Sequence, residues 1–212
     1  MGAIAGENKI NTVVFDLGNV LVKFGWEEAF HEYFGWYGET FERVANATTR
    51  HEDWNRHDKG DLSEEEMLKR FISNDPSVEK EIRELYNHLD VLVTPLDYAH
   101  DWVSGLKKAG YKVYILSNYS RKTFNLGIKN GKLSIVTEAD GAVISYQEQL
   151  IKPDPAIYEC LFDRYDITPS EAVFIDDRAD NVATGIRCGM HGIIFKTKEQ
   201  VLKELGELGV KF

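Results

Sequence analysis

Five short apolar runs in this chain each have the length and composition of one β-strand. They are TVVFDL (12–17), YKVYILS (111–117), AVISY (142–146), AVFIDD (172–177) and GIIF (192–195). Helical patterns lie between the later runs, and strands that alternate with helices form parallel sheets covered by helices on both faces. The sequence therefore predicts an α/β protein, and 212 residues are enough to bury a large core.

The predicted helices have recognisable ends. Pro95, after Thr94, is expected to occupy the first position of one helix, and Gly110 is expected to end it just before the next strand. The final helix, KEQVLKELGEL, is amphipathic and is expected to turn three residues inward: Val201, Leu202 and Leu205.

Residues 23–90 interrupt the alternation, because they contain several helical stretches and no convincing strand. In LSEEEMLKRFI, Ser63 and Glu66 have the spacing of a capping box, which stabilises a helix N-terminus. The segment carries nine Lys and Arg against 17 Asp and Glu, a net charge of −8. We expect residues 23–90 to form a small all-helical cap domain inserted after the first strand. Residues 1–22 and 91–212 are expected to form the core domain.

Net charge and cysteine content disfavour several classes of partner. The formal net charge is −10, which disfavours binding to nucleic acid or to an anionic membrane surface. No apolar run approaches the roughly 20 residues that a membrane-spanning helix needs. Cys160 and Cys188 lie in predicted helices without metal-ligand spacing, so we expect free, buried thiols and a cytoplasmic protein.

Chemically active side chains follow the predicted strands where those strands end. They are Asp16, Ser117, Lys152 and the pair Asp176 and Asp177. Ligands of open α/β sheets bind at the carboxyl edge, so these side chains are expected to meet there. Carboxylate oxygens suit Mg²⁺, and a lysine with a hydroxyl suits a phosphate group. Asp16 could then attack phosphorus and form an aspartyl-phosphate.

Four stretches of the chain resemble the sequence motifs of the haloacid dehalogenase-like superfamily. These stretches are DLGNVLV, ILSN, KPDPAIYE and FIDDRADN, and the resemblance covers nearly the whole chain. It implies a Rossmann-like three-layer core that carries the helical cap, with Mg²⁺ as cofactor. It also implies the following roles: Asp16 as nucleophile; Ser117, Asn118 and Lys152 as phosphate-binding residues; Asp16, Asp177 and the backbone carbonyl of Gly18 as metal ligands; and Asp176 and Asn181 as supports of the metal's water shell.

One position departs from the pattern of the family's phosphatases. These enzymes usually carry a second aspartate, two positions after the nucleophile, as general acid and base, and this chain has Gly18 there. General acid–base catalysis typically contributes about 10²–10⁴ in rate, so the loss need not abolish activity. A substitute could come from water or from the cap, where the candidates are Arg50, His51, Arg56 and His57.

The resemblance favours a Mg²⁺-dependent phosphatase that acts on a small phosphomonoester such as a sugar phosphate. The alternatives are a metal-independent 2-haloacid dehalogenase, a phosphosugar mutase and a catalytically silent protein that binds a phosphometabolite. The acidic pair Asp176 and Asp177 disfavours the dehalogenase, and Gly18 disfavours the mutase.

The charge of the cap disfavours polyphosphates, nucleotides and other polyanions by repulsion. We expect the many aromatic residues of the cap to form its interior, with Trp36 and Trp54 the least certain members.

Overall fold

The coordinates are a computed structural model, and they describe residues 9–212. The N-terminal part of the predicted core domain, residues 1–8, lies outside the described residues. Within residues 9–212, every helix is too short or too polar to cross a lipid bilayer.

Five parallel strands form the central sheet, as the apolar runs predict. Their spatial order is β5-β4-β1-β6-β7. A separate two-stranded sheet joins β2 to β3 in antiparallel orientation. The strands are β1 (Thr12–Phe15), β2 (Val22–Phe24), β3 (Val93–Pro95), β4 (Lys112–Ser117), β5 (Gly141–Ile144), β6 (Ala172–Asp176) and β7 (His191–Ile194).

Eleven α-helices are described within residues 9–212. Five precede the third strand: α1 (Trp26–Glu32), α2 (Gly38–Ala47), α3 (Asp53–Lys59), α4 (Glu64–Asn74) and α5 (Glu79–Asn87). Six follow it: α6 (Ala99–Lys108), α7 (Arg121–Lys129), α8 (Ser145–Glu148), α9 (Pro155–Tyr165), α10 (Ala179–Arg187) and α11 (Lys198–Glu207).

The central sheet is covered on both faces, which gives the three-layer α/β architecture. Alternate residues of a strand point to opposite faces, so β1 contributes to two hydrophobic clusters. Val13 and Phe15 pack with Trp102 of α6 and with α11. Val14 packs in the other cluster with Tyr158 of α9. The predicted α/β fold is confirmed.

Helices α1–α5 build a third hydrophobic cluster of their own. Phe30, Phe41, Phe71 and Tyr86 are among its buried members, and Trp36 is buried with them. The predicted capping box is present at α4, where the Ser63 hydroxyl accepts a hydrogen bond from the backbone N–H of Glu66 and the Glu66 carboxylate accepts one from Ser63. Most aromatics of this region are therefore interior residues. That this cluster forms a separate cap domain stays a prediction.

Several local predictions are wrong. The helix expected at Thr94 and Pro95 begins at Ala99, because residues 93–95 instead pair with residues 22–24. Pro95 is tolerated there at the end of a short strand, where its missing N–H costs no ladder bond. These three-residue strands are too short to give an alternating pattern in the sequence. They form the two connections between the sheet region and helices α1–α5.

Two predictions about burial also fail. Leu202 is 37% exposed, whereas Val201 and Leu205 are fully buried, so the inward face of α11 is narrower than expected. Cys160 and Cys188 are free, as predicted, but both are partly exposed.

Candidate active site

Asp16 directly follows the central strand β1. Its backbone N–H donates to the carbonyl of Ile175 at 2.9 Å, which continues the ladder to β6. The Asp16 oxygen Oδ1 accepts hydrogen bonds from Ser117 Oγ at 2.6 Å and from Lys152 Nζ at 2.8 Å. Its second oxygen, Oδ2, accepts no hydrogen bond from any described residue. The sheet thus holds one carboxylate oxygen in place and leaves the other available for chemistry.

Lys152 is buried and donates to three oxygens. Its ammonium group bonds to Asp16 Oδ1 at 2.8 Å, Asp176 Oδ2 at 2.6 Å and the carbonyl of Leu116 at 2.8 Å. Burial opposes the charged form, but the two carboxylates outweigh it and raise the pKa of Lys152. The Asn118 side chain bonds to both peptide groups of Lys152, at 3.0 and 2.9 Å. Asn118 therefore positions this lysine, and because it also lines the cavity described below, its role in substrate binding stays a prediction.

An acidic cluster lies beside the nucleophile. Oxygens of Asp16, Asp176 and Asp177 all lie within 4.8 Å of one another. Asp176 is fully buried, and the Asn181 amide donates to both of its oxygens at 3.0 Å. Asp177 is half-buried and accepts a hydrogen bond from Asn19 Nδ2 at 3.0 Å. Asp176 is thus occupied by protein partners, whereas Asp177 faces the cavity described below.

Mg²⁺ fits the donor groups at this cluster. Carboxylate oxygens are its preferred protein ligands. Asn181 Oδ1 is buried without a hydrogen-bond partner among the described residues, so an acceptor oxygen remains free next to the cluster. Burial raises the pKa of Asp177, and burial also raises the pKa of Asp16 to about 6, with Lys152 opposing. A bound cation would favour the ionised form of both carboxyl groups.

Gly18 lines the cavity beside Asp16, and no carboxylate replaces the expected one at this position. A Cβ at Gly18 would lie 3.8 Å from Asp16 Oδ2, an ordinary contact. Sterics therefore do not require glycine here. The next residue, Asn19, has a left-handed backbone (φ 56°) and donates to Asp177, so the turn after β1 ties the nucleophile loop to the acidic cluster.

A cavity of about 630 Å³ lies between the carboxyl edge of the sheet and α3 with the loop that precedes it. We call its two sides the core wall and the cap wall. The core wall includes Asp16, Asn19, Ser117, Lys152, Asp177 and Asn181. The cap wall consists of Phe24 and of residues from segment 49–58: Thr49, Arg50, His51, Glu52, Trp54, Asn55 and Asp58.

The four predicted substitute acids fall into two groups. Arg50 and His51 lie on the cap wall, whereas Arg56 and His57 line a separate small cavity of about 20 Å³. Burial lowers the pKa of His57 to about 3, so this histidine is neutral at pH 7. Arg50 pairs with Glu42 at 2.7 Å, and an arginine does not release its proton in proteins. Of the four, His51 alone is placed and chemically suited to donate a proton in the main cavity.

The two uncertain tryptophans have different locations. Trp36 is 7% exposed inside the aromatic cluster, as expected of an interior residue. Trp54 lines the cavity next to Phe24, with their ring centroids 5.9 Å apart.

Most acidic residues of segment 23–90 lie outside the cavity, and only Glu52 and Asp58 contribute carboxylates to the cap wall. The repulsion of polyanions expected from the net charge of −8 is therefore weaker in the cavity than the sequence suggests.

Several cavity residues have no role in the sequence analysis. Asn19 could have been found, because Gly-Asn is a turn signal directly after the nucleophile. Thr49, Asn55 and Asp58 carry no distinguishing local pattern. They reach the cavity because segment 49–58 packs over the sheet edge, which is a tertiary contact.

Comparison with known proteins identifies the family. A family model of the haloacid dehalogenase-like hydrolases matches residues 10–189. The chain therefore belongs to this family of hydrolases, as its motifs predict.

Two curated relatives align with nearly the whole chain. Acyl-CoA dehydrogenase family member 10 of Mus musculus is 26% identical over 96% of this chain, which spans 20% of that protein's length. Flavin mononucleotide hydrolase 1 of Arabidopsis thaliana is 23% identical over 98% of this chain and 81% of its own length.

Solved structures share the fold. A HAD family enzyme from Bacteroides thetaiotaomicron, in complex with magnesium and inorganic phosphate, superposes with a TM-score of 0.71 at 21% identity. The match covers 89% of this chain and 96% of that one. An L-2-haloacid dehalogenase from Xanthobacter autotrophicus, with chloropropionic acid covalently bound, gives a TM-score of 0.64 at 18% identity, over 96% of this chain and 85% of that one.

Proposed function

We propose that this protein is a Mg²⁺-dependent phosphatase that hydrolyses a phosphomonoester through an aspartyl-phosphate on Asp16. The observation that carries the proposal is the cluster of Asp16, Asp176 and Asp177 around the buried ammonium group of Lys152. This combination offers oxygen ligands for a hard cation and a fixed positive charge for a phosphate group.

Each residue at the core wall has a defined task in this reaction. Lys152 and Ser117 hold Asp16 Oδ1, so the other oxygen of Asp16 points its lone pairs to the cavity for attack on phosphorus. The positive charge of Lys152 also offsets the negative charge of the phosphate group, and a phosphate oxygen would accept a hydrogen bond from Lys152 or Ser117 in exchange for one of their present acceptors. Mg²⁺, when bound by Asp16, Asp177 and the carbonyl of Gly18, reduces the repulsion between the carboxylate and the phosphate dianion. The Asn118 side chain positions Lys152 through two hydrogen bonds, one to the backbone carbonyl and one from the backbone N–H of that lysine.

The cavity supports a substrate with a ring-containing leaving group. Its volume of about 630 Å³ lies within the 300–1,000 Å³ range of ligand sites and exceeds the need of a phosphate alone. Trp54 offers a flat aromatic surface at the cap wall, and the buried Thr49 hydroxyl there has no hydrogen-bond partner within residues 9–212. A sugar phosphate fits this combination. A relative that hydrolyses flavin mononucleotide makes that compound a necessary member of any substrate panel.

A 2-haloacid dehalogenase is the rival function, because the fold is shared with such an enzyme and Gly18 supplies no acid. The acidic cluster and the unpartnered oxygen of Asn181 favour the metal-dependent reaction.

Steady-state hydrolysis tests the proposal. Wild type and Asp16→Asn are assayed on p-nitrophenyl phosphate, sugar 1- and 6-phosphates and flavin mononucleotide, each with Mg²⁺ and with EDTA. We expect Mg²⁺-dependent phosphate release that disappears in Asp16→Asn and persists in Asp101→Asn, whose exposed carboxyl lies outside the cavity. Chloride release from a 2-haloacid in EDTA, without phosphate release from any ester, would establish the rival function instead.

A further inference from the structure

Asp58 of the cap wall is hydrogen-bonded to the core through its backbone. It lies in the last turn of α3. Its carbonyl accepts a hydrogen bond from Ser145 Oγ at 2.5 Å. Its carboxyl group lines the cavity, and the backbone N–H of Ser120 interacts with it and lowers its pKa. Ser120 is three residues after Ser117 in the loop that follows β4, so Asp58 is tied to the same loop that holds the nucleophile.

The turn after Asp58 fits closely against the core. Gly60 has a left-handed backbone (φ 70°), and a Cβ there would lie 2.8 Å from Tyr146 Cβ. That distance is too short for any side chain, so glycine allows the turn to rest directly on α8. The neighbouring Ser145 then reaches the carbonyl of Asp58. Close packing thus orients the carboxyl group of Asp58 into the cavity that contains Asp16.

The surroundings of Asp58 favour its protonated form. Burial raises the pKa of the Asp58 carboxyl to about 7, the Ser120 N–H opposes this shift, and the charge of Asp16 adds to it. Its place at a helix C-terminus also disfavours a negative charge. A carboxyl group with such a pKa can hold a proton and release it near neutral pH, as a general acid and base must.

The other groups of the cavity are less suited to this task. Asp16 and Asp177 belong to the nucleophile and the metal cluster. Arg50 retains its proton, and Glu52 is exposed. His51 Nδ1 is occupied by the backbone N–H of Asp53 at 3.2 Å, which leaves Nε2 as the remaining rival donor.

We propose that Asp58 is the catalytic acid and base that replaces the aspartate missing at position 18. The assignment rests on the phosphatase function proposed above. In the first step Asp16 Oδ2 bonds to phosphorus, the bond from phosphorus to the leaving oxygen breaks, and Asp58 gives its proton to that oxygen. In the second step water attacks phosphorus of the aspartyl-phosphate, Asp58 takes a proton from this water, and the bond to Asp16 breaks. Free phosphate and the starting enzyme result.

Single-turnover kinetics with leaving groups of different basicity test this assignment. Wild type, Asp58→Asn and Asp58→Glu react in enzyme excess with p-nitrophenyl phosphate and with an alkyl or sugar phosphate. Asparagine preserves the shape and can still interact with the backbone N–H of Ser120. Asp61→Asn is the matched control, because this carboxyl lies in the same turn but pairs with Arg56 at 3.1 Å.

We expect Asp58→Asn to lose about 10²–10⁴-fold on the alkyl ester and less than about 3-fold on p-nitrophenyl phosphate, whose leaving group needs no proton. In steady state, p-nitrophenol should appear as a burst equal to the enzyme concentration, since the phosphoenzyme then lacks its base. Asp58→Glu should recover part of the alkyl-ester rate, and Asp61→Asn should match wild type.

Two results would overturn the assignment while leaving the phosphatase in place: an equal loss on both esters, or a selective alkyl-ester loss in His51→Gln but not in Asp58→Asn. A wild type inactive on every ester would instead refute the phosphatase itself, and the assignment with it.

Discussion

The two walls of the cavity differ in how their polar groups are satisfied. On the core wall, Asp16 bonds to Ser117 and Lys152, Lys152 bonds in turn to Asp176 outside the cavity lining, and each of the four is at least 89% buried. On the cap wall, the Thr49 hydroxyl is buried without a hydrogen-bond partner in the described part of the chain, and Trp54 presents an aromatic surface. On the core wall, Asp16 Oδ2 and Asn181 Oδ1 have no hydrogen-bond partner among the described residues, and both lie at the nucleophile and the acidic cluster, which suits one fixed chemistry. The spare groups of the cap wall suit recognition of a variable leaving group. Substitutions in the core wall should therefore affect all substrates alike, and substitutions in the cap wall should depend on the substrate.

Lys152→Met gives the largest expected effect and tests the core wall. It leaves the charges of Asp16 and Asp176 buried and unpaired, which should lower the free energy of unfolding by about 3–5 kcal/mol. Turnover should fall at least about 10²–10³-fold for every ester, because phosphate charge is no longer neutralised. Thermal unfolding and the full substrate panel measure both effects. Lys203→Met, an exposed lysine, is the control, and a substrate-dependent loss in Lys152→Met would contradict the contrast between the walls.

Gly18→Asp tests whether an acid can be moved from one wall to the other. A Cβ at this position meets nothing closer than Asp16 Oδ2, at 3.8 Å, so the variant should fold. In the Asp58→Asn background it should raise the alkyl-ester rate by about 10²-fold, since a carboxyl is restored near the leaving oxygen. Gly18→Asn in the same background should give no such gain. Equal rates in the two double variants would show that position 18 cannot carry the proton here.

Trp54→Leu tests the cap wall. Losing the aromatic surface should raise KM by roughly 5–10-fold for a substrate with a ring-containing leaving group, since aromatic contacts are worth about 0.5–1.5 kcal/mol. A small acyclic ester such as glycerol phosphate should be unaffected. Tyr37→Leu, on an exposed part of α1–α5 outside the cavity, is the control. An equal change for both classes of ester would show that Trp54 acts through packing alone.

Asp53→Asn concerns stability and is expected to have the smallest effect on activity. Burial opposes ionisation of Asp53, but hydrogen bonds from Arg70 and Asn74 outweigh it and lower its pKa. A lowered native pKa contributes stability that is complete above the unfolded value, about pH 4, and is lost as pH falls through the native value. At pH 7 the variant should lose roughly 1.5–3 kcal/mol of unfolding free energy. The gap from wild type should narrow below about pH 4 in urea titrations, whereas Glu84→Gln should show no gap at either pH.

The contrast between the walls also explains what the sequence could predict. Asp16, Ser117, Asp176 and Asp177 lie at strand ends of one parallel sheet, so their meeting follows from the fold class, and Lys152 joins them from the connection that follows β5 and α8. Their proximity is seen in the structure, while their roles stay predictions. The absence of an acid at Gly18 can also be read from the sequence, because the family's second aspartate lies two positions after the nucleophile.

The cap wall could not be predicted in this way. Asp58 sits in an ordinary helix-ending turn, and its placement depends on Ser145, 87 residues later in the chain. The strands at residues 22–24 and 93–95 were missed because three residues give no period, and only their pairing identifies them. Leu202 was misplaced because α11 buries a narrower face than its apolar pattern indicates.

The close fit of Gly60 on Tyr146 limits how this protein can be re-engineered. A segment transplanted from a relative in place of residues 25–92 would need a glycine at this point, because a Cβ would also meet backbone atoms of Tyr146. Helix α8 and the turn that rests on it are therefore best exchanged together, as a single cassette. A library that varies segment 49–58 and keeps both Gly60 and Tyr146 would alter substrate selectivity without disturbing the contact between these two residues.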